Sequence, residues 1–131
     1  MRIRWMTLGL SVLVFALVGC TGGGGGGTSS SGGSGDANKG KTLFTSKQCI
    51  TCHTLASVPG AVGTIGPNMN GIGTRAGERK PGMAAADYLR ESLKTPDAYT
   101  VEGYAKGLMV LPVPVTDAEI NDLVAFLLAQ K

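Results

Sequence analysis

The sequence predicts a small all-α domain, and three observations carry that expectation. Three stretches place apolar residues at helical spacing. No alternating apolar and polar stretch of useful length lies between them, which disfavours a sheet. The chain has 131 residues, room for one domain, and composition confines the folded part to about Asp36–Lys131.

Residues 1–19 read as a secretory signal peptide. Met1 to Trp5 include the cations Arg2 and Arg4, Met6 to Val18 form the apolar core, and Gly19 is the small residue before Cys20. The apolar run falls short of the roughly 20 residues that span a bilayer, so a retained anchor helix is disfavoured. Leu17-Val18-Gly19-Cys20 resembles the lipobox of bacterial lipoproteins, which are cut before a cysteine whose sulfur carries a diacylglyceryl group. Cys20 is therefore the expected lipidation site and first mature residue, and its modification accounts for an odd total of three cysteines. Loss of Arg2 and Arg4 leaves ten Lys and Arg against nine Asp and Glu, so the formal charge falls from +3 to +1. Nothing in that balance supports nucleic-acid binding, which calls for a clustered basic face.

Residues 20–35 join the lipid site to the folded part. Thr21 to Gly35 contain only Gly, Ser and Thr, with six consecutive glycines from Gly22 to Gly27. Such a segment buries no apolar surface and should behave as a flexible tether with an r.m.s. reach of about 20 Å.

Within residues 36–131 the first helix is expected over Asn38–Gln48, capped by Asp36 or Asn38, with Leu43 and Phe44 as its apolar contacts. Gly60–Gly82 is rich in Gly and Pro and reads as loop, with a turn at Pro67–Ile72. A loop this long argues against a compact domain unless it wraps something large and apolar. The second helix is expected over Ala84–Lys94, with Ala85, Leu89 and Leu93 on one face, and must stop before Pro96. The third opens with a capping box, Thr116 to Glu119, and sets Ile120, Leu123, Val124, Leu127 and Leu128 on one face.

The chemistry is concentrated in Cys49-Ile50-Thr51-Cys52-His53. This C-x-x-C-H spacing reads as a c-type haem attachment site, because thiols three positions apart can add to the two vinyl groups of one porphyrin while the next imidazole reaches the iron. Two alternatives stand beside it: a redox dithiol, which calls for a β-α-β surround, and half of a zinc site, which needs further ligands. His53 is the sole histidine.

Beyond the pentapeptide, residues 36–131 resemble the class I cytochrome c family. The resemblance rests on Gly40 and Phe44, on Cys49 to His53, on Gly66-Pro67-Asn68-Met69-Asn70-Gly71, on Gly107-Leu108-Met109, and on the C-terminal helix from Asp117. It implies the class I fold, three to five helices around one covalent haem c, with Gly40 and Phe44 packed on Leu123, Phe126 and Leu127 of the last helix. For the sixth iron ligand the candidates are Met69, Met83 and Met109. Met109 lies 56 residues beyond His53, far enough to wrap the porphyrin. Met69 falls only 16 beyond, in the segment the family keeps on the proximal side, and Met83 reads as packing before the second helix. Met109 is thus the expected ligand with His53, although Val110 and Leu111 separate it from the prolines the family places close behind the ligand. The resemblance further assigns the Pro67 carbonyl to the far nitrogen of His53 and Arg75 to a haem propionate; Tyr88, Tyr99 and Tyr104 could serve the propionates or be amphipathic core residues.

The function implied is electron transfer without substrate chemistry of its own or any small-molecule substrate, between respiratory or photosynthetic redox proteins or membrane-complex subunits. Lipid-anchored cytochromes of this layout occur in quinol-oxidising assemblies such as alternative complex III. The expected location is the membrane, facing the periplasm or exterior, with Lys47 and Lys106 as docking cations near the haem edge. A haem enzyme or gas sensor with an open sixth position is the rival reading, weakened by the lack of a second histidine, and a structural subunit with an incidental haem is a third.

Overall fold

The structure, a computed structural model, describes residues 35–131. The signal peptide, the lipidation site Cys20 and the tether up to residue 34 lie outside the described residues. Four helices follow in order, α1 (Ala37–Ser46), α2 (Ile72–Arg75), α3 (Ala85–Lys94) and α4 (Asp117–Leu128), and the described residues contain no strand beyond an isolated bridge between Thr54 and Val62.

Each helix end has a local cause. Asp36 caps α1 by accepting from the backbone of Asn38 at 2.8 Å and Lys39 at 3.2 Å. Its own N–H donates to Asp122 Oδ1 at 2.7 Å, which ties the start of α1 to α4. The helix stops at Ser46, two residues short of the expected Gln48, because Gln48 takes the left-handed conformation at φ 62° and turns the chain into a 3-10 turn, Cys49–Thr51. For a residue with a side chain that conformation costs about 1–2 kcal/mol, and here it aims the cysteine segment off the helix axis. Helix α3 ends before Pro96, as the ring demands, and passes into a 3-10 turn over Pro96–Ala98.

Helix α4 opens with its capping box closed both ways. Thr116 Oγ1 accepts from the Glu119 N–H at 3.3 Å, and the Thr116 N–H donates to Glu119 Oε2 at 2.8 Å. That donation, followed by the ammonium of Lys47, holds the Glu119 carboxyl below the ordinary carboxylate range. The stabilisation is therefore complete above the ordinary value and is lost as pH falls through the lowered one.

The expected loop Gly60–Gly82 is more ordered than its composition suggests. Its first part runs back along the cysteine segment through backbone bonds, Leu55 to Ala61 at 2.9 Å, Gly66 to Cys52 at 2.7 Å and Met69 to Thr54 at 2.8 Å. Its middle folds into α2 and a further 3-10 turn at Ala76–Glu78. Helix α2 has one turn, too short for its apolar spacing to stand out, and it forms because Gly73 docks against Leu128 at the end of α4 and donates to Gln130 O, just beyond that helix, at 2.8 Å.

The core lies where α1 crosses α4. A β-carbon on Gly40 would come within 2.6 Å of Phe126 Cβ and closer still to the Asp122 carbonyl, so glycine alone lets the two backbones approach. One helical turn on, Phe44 meets Phe126 edge to face at 5.9 Å. Ile120, Leu123, Val124 and Leu127 are buried from α4 as its periodicity predicts; Leu128 and Leu43 are half-buried. Tyr88, Leu89 and Leu93 close the core from α3.

Gly40→Ala should therefore cost stability at the upper end of the about 1–3 kcal/mol typical of overpacking. A lower denaturant midpoint with an unchanged m-value is the expected result, and an unshifted midpoint would mean that the crossing yields without strain.

Candidate functional site

A cleft opens between the cysteine segment on one side and the long loop after α3 on the other. Cys49, Cys52 and His53 line it together with Met69, Ile72, Leu89, Leu93 and Leu127 from the core, and Leu108, Met109 and Leu111 from the loop. Its volume is about 250 Å³, beyond the roughly 150 Å³ apolar cavities that accommodate benzene.

The histidine is held by three features of the chain around it. Nδ1 lies 2.8 Å from the Pro67 carbonyl, which can only accept, so Nδ1 carries the proton and Nε2 keeps its lone pair for a metal. The ring sits against Gly66, where a β-carbon would come within 2.5 Å of Cε1, so no other residue fits. The segment bearing Pro67 is itself fixed by Arg75, whose guanidinium donates to the carbonyls of Asn70 and, at 2.8 Å, of Asn68. Arg75, expected at a haem propionate, is absent from the cleft lining, and its guanidinium holds the strap that presents Pro67.

The arginine that does line the cleft is Arg79, and its Nε is buried without a hydrogen-bond partner. A buried N–H left unpaired is costly, about 1–3 kcal/mol, and more for a charged group. An anionic oxygen in the cleft would satisfy it. Sequence reasoning missed Arg79 because nothing in Ala76–Lys80 has a period that shows which side chain turns inward.

Of the three methionines, Met109 lines the cleft from the loop opposite the cysteine segment. Met69 also lines it, but its backbone is bonded to Thr54, next to His53, which puts it on the histidine's own strap. Met83 packs on the core and is absent from the lining. Tyr88, Tyr99 and Tyr104 all line the cleft, with Tyr88 and Tyr99 edge to face at 5.7 Å. Lys47 departs from its expected place as a free docking cation. Its Nζ donates to the Pro114 carbonyl at 2.7 Å and pairs with Glu119 at 2.9 Å, leaving the side chain 13% exposed. Lys106 is exposed.

A redox dithiol lowers the pKa of its attacking cysteine, whereas burial, with a smaller contribution from Cys52, pushes the Cys49 thiol up to about 11 against a lowering backbone hydrogen bond. A zinc site needs a cluster of ligands, and no group of three or more His, Cys, Asp or Glu gathers among the described residues. Two thiols beside an imidazole with a free Nε2, an apolar wall, a thioether opposite and an arginine lacking an acceptor all fit a porphyrin with anionic side groups. The site is that of a c-type haem domain.

Comparison with known proteins reaches the same class. The cytochrome c family model matches residues 37–131, and the chain belongs to that family. Cytochrome c2 of Rhodoblastus acidophilus is 32% identical over 71 residues, which cover 54% of this chain and 63% of that protein, so the chain spans less than two thirds of its relative. The family's cofactor is covalently bound haem c and its activity is electron transfer.

In the haem-loaded protein, Met109→Ala should abolish the absorption band of sulfur bound to ferric iron. Met83→Ala, which empties a packing position, should keep the band and lower stability by about 2–5 kcal/mol. Loss of the band in Met83→Ala with retention in Met109→Ala would reassign the ligand.

Proposed function

We propose that this chain is a membrane-anchored monohaem electron carrier, working outside the cytoplasmic membrane between respiratory or photosynthetic redox partners. The observation that carries the proposal is the His53 imidazole, fixed by the Pro67 carbonyl across one apolar cleft from the loop of Met109.

Haem c bound here supplies one-electron chemistry, the iron alternating between ferric and ferrous. Cys49 and Cys52 would hold the porphyrin as thioethers, His53 Nε2 and the Met109 sulfur would ligate the iron, and Arg79 would meet a carboxylate. The Pro67 carbonyl keeps the proton on Nδ1 and the ring in one orientation, so the imidazole need not reorganise as charge changes. The apolar lining keeps water out, and a thioether opposite histidine favours the ferrous state and raises the potential. Ile65, Leu108 and Val110, more than half exposed on the cleft rim, offer partners an apolar contact ring, with Lys106 the exposed cation on the same loop.

Anchoring rests on the lipobox at Cys20. No helix among the described residues is long and apolar enough to cross a membrane. A diacylglyceryl group would supply the two chains that stable attachment requires, at about 0.8 kcal/mol per buried CH₂. The Gly, Ser and Thr residues that follow Cys20 are the expected tether between that lipid and the domain.

A potentiometric titration of the purified protein should show one reversible one-electron step, with low-spin spectra at both ends and no binding of carbon monoxide to the native ferrous form. Ready uptake of carbon monoxide would favour a sensor or enzyme with an open iron position. Cys20→Ser should release a red, soluble domain or block processing, and mature protein still fully in the membrane would place the anchor elsewhere.

A further inference from the structure

The loop that carries Met109 touches the core through Tyr99, Met109 and Val115 but is joined to the rest of the fold by few hydrogen bonds. From Tyr99 to Val115 the chain has neither helix nor strand, and its internal backbone bonds are local, Tyr104 to Val101 and Val110 to Leu108. Among the described residues two hydrogen bonds join this loop to other parts of the domain, and both come from side chains. Lys47 reaches Pro114 near its end, and Asp97 Oδ1 accepts the N–H of Gly107 at 2.8 Å in its middle. Gly107 adopts φ 78°, a turn conformation that suits glycine, two residues before Met109. Asp97 itself is placed by the rigid turn Pro96–Ala98 at the end of α3, and it lines the cleft beside the loop.

We propose that Asp97 is a positioning residue for the Met109 sulfur. Its carboxylate clamps the backbone at Gly107, and the clamp holds the ligand loop closed over the cleft. The proposal rests on the reading of Met109 as the sixth ligand. The physical reason is the scarcity of other restraints: 17 residues without regular structure retain much conformational entropy, so one charge-assisted bond at their middle shifts the balance between closed and open loop. Lys47 secures the loop at Pro114, five positions beyond Met109, whereas Asp97 holds Gly107, two positions before it. An outside ligand binds only the open population, so its apparent affinity measures how well the loop stays shut.

The test uses the full-length, haem-loaded ferric protein and imidazole as the competing ligand, with Asp97→Ala, Asp97→Asn and Met109→Ala compared to the native chain. Asp97→Ala should weaken the sulfur-to-iron band and raise imidazole affinity about tenfold, the size expected for loss of one charged hydrogen bond. Asp97→Asn keeps an acceptor oxygen of the same reach and should restore most of the native affinity. Thermal unfolding of both Asp97 variants serves as the structural control, since Asp97 is an exposed residue outside the core. Native imidazole affinity in Asp97→Ala, with or without a change in melting temperature, would overturn the proposal. A band that survives in Met109→Ala would instead show that the ligand assignment beneath it is wrong.

Discussion

A cleft broad enough for a porphyrin cannot also be filled with side chains, so this domain must gain its rigidity elsewhere, and it does so where α1 crosses α4. Gly40 removes the one atom that would hold the helices apart, and Phe44 against Phe126 then fills the crossing. Because Asp36 caps α1 and also bonds Asp122, the same contact fixes the start of the domain. The cysteine segment leaves from the other end of α1, so its position is inherited from the crossing. Helix α2 and α3 dock on α4 and form the remaining wall.

From that scaffold the functional side chains are placed with unequal firmness. The His53 side is rigid: the strap beneath it is laced by backbone bonds, Arg75 ties down two of its carbonyls, and Gly66 admits the imidazole face. The Met109 side is a long loop held by Asp97 and Lys47. This asymmetry suits an electron carrier of the cytochrome c family, in which the histidine must not move and the opposite ligand tunes the potential. It also gives the small domain of about 96 residues a reason to depend on its cofactor, since few contacts other than those across the cleft close the loop.

Helices α3 and α4 are legible in the sequence because each has a full apolar face and one chemical boundary, Pro96 after the first and the Thr116–Glu119 box at the start of the second. The cysteines and histidine were legible because their spacing has few uses. Other features depend on tertiary contacts that leave no local trace. Gln48 ends α1 early because the chain must turn there, although its side chain gives no turn signal. One turn of helix at Ile72–Arg75 is shorter than the window in which a period can be seen. Arg75 and Arg79 stand four residues apart in a Gly-rich stretch, and only the fold shows that the first faces the Asn68 and Asn70 carbonyls while the second faces the cleft. Lys47 reads in the sequence as a docking cation, yet the approach of Pro114 and Glu119 engages it.

The proposed electron transfer requires one covalently held haem between these walls. Extraction of the purified protein with acidified acetone, with iron and porphyrin counted per chain before and after, tests it most directly. Thioethers at Cys49 and Cys52 predict that the colour stays with the polypeptide at one haem per chain. A pigment that passes quantitatively into the acetone, or a chain that never carries one, would contradict it.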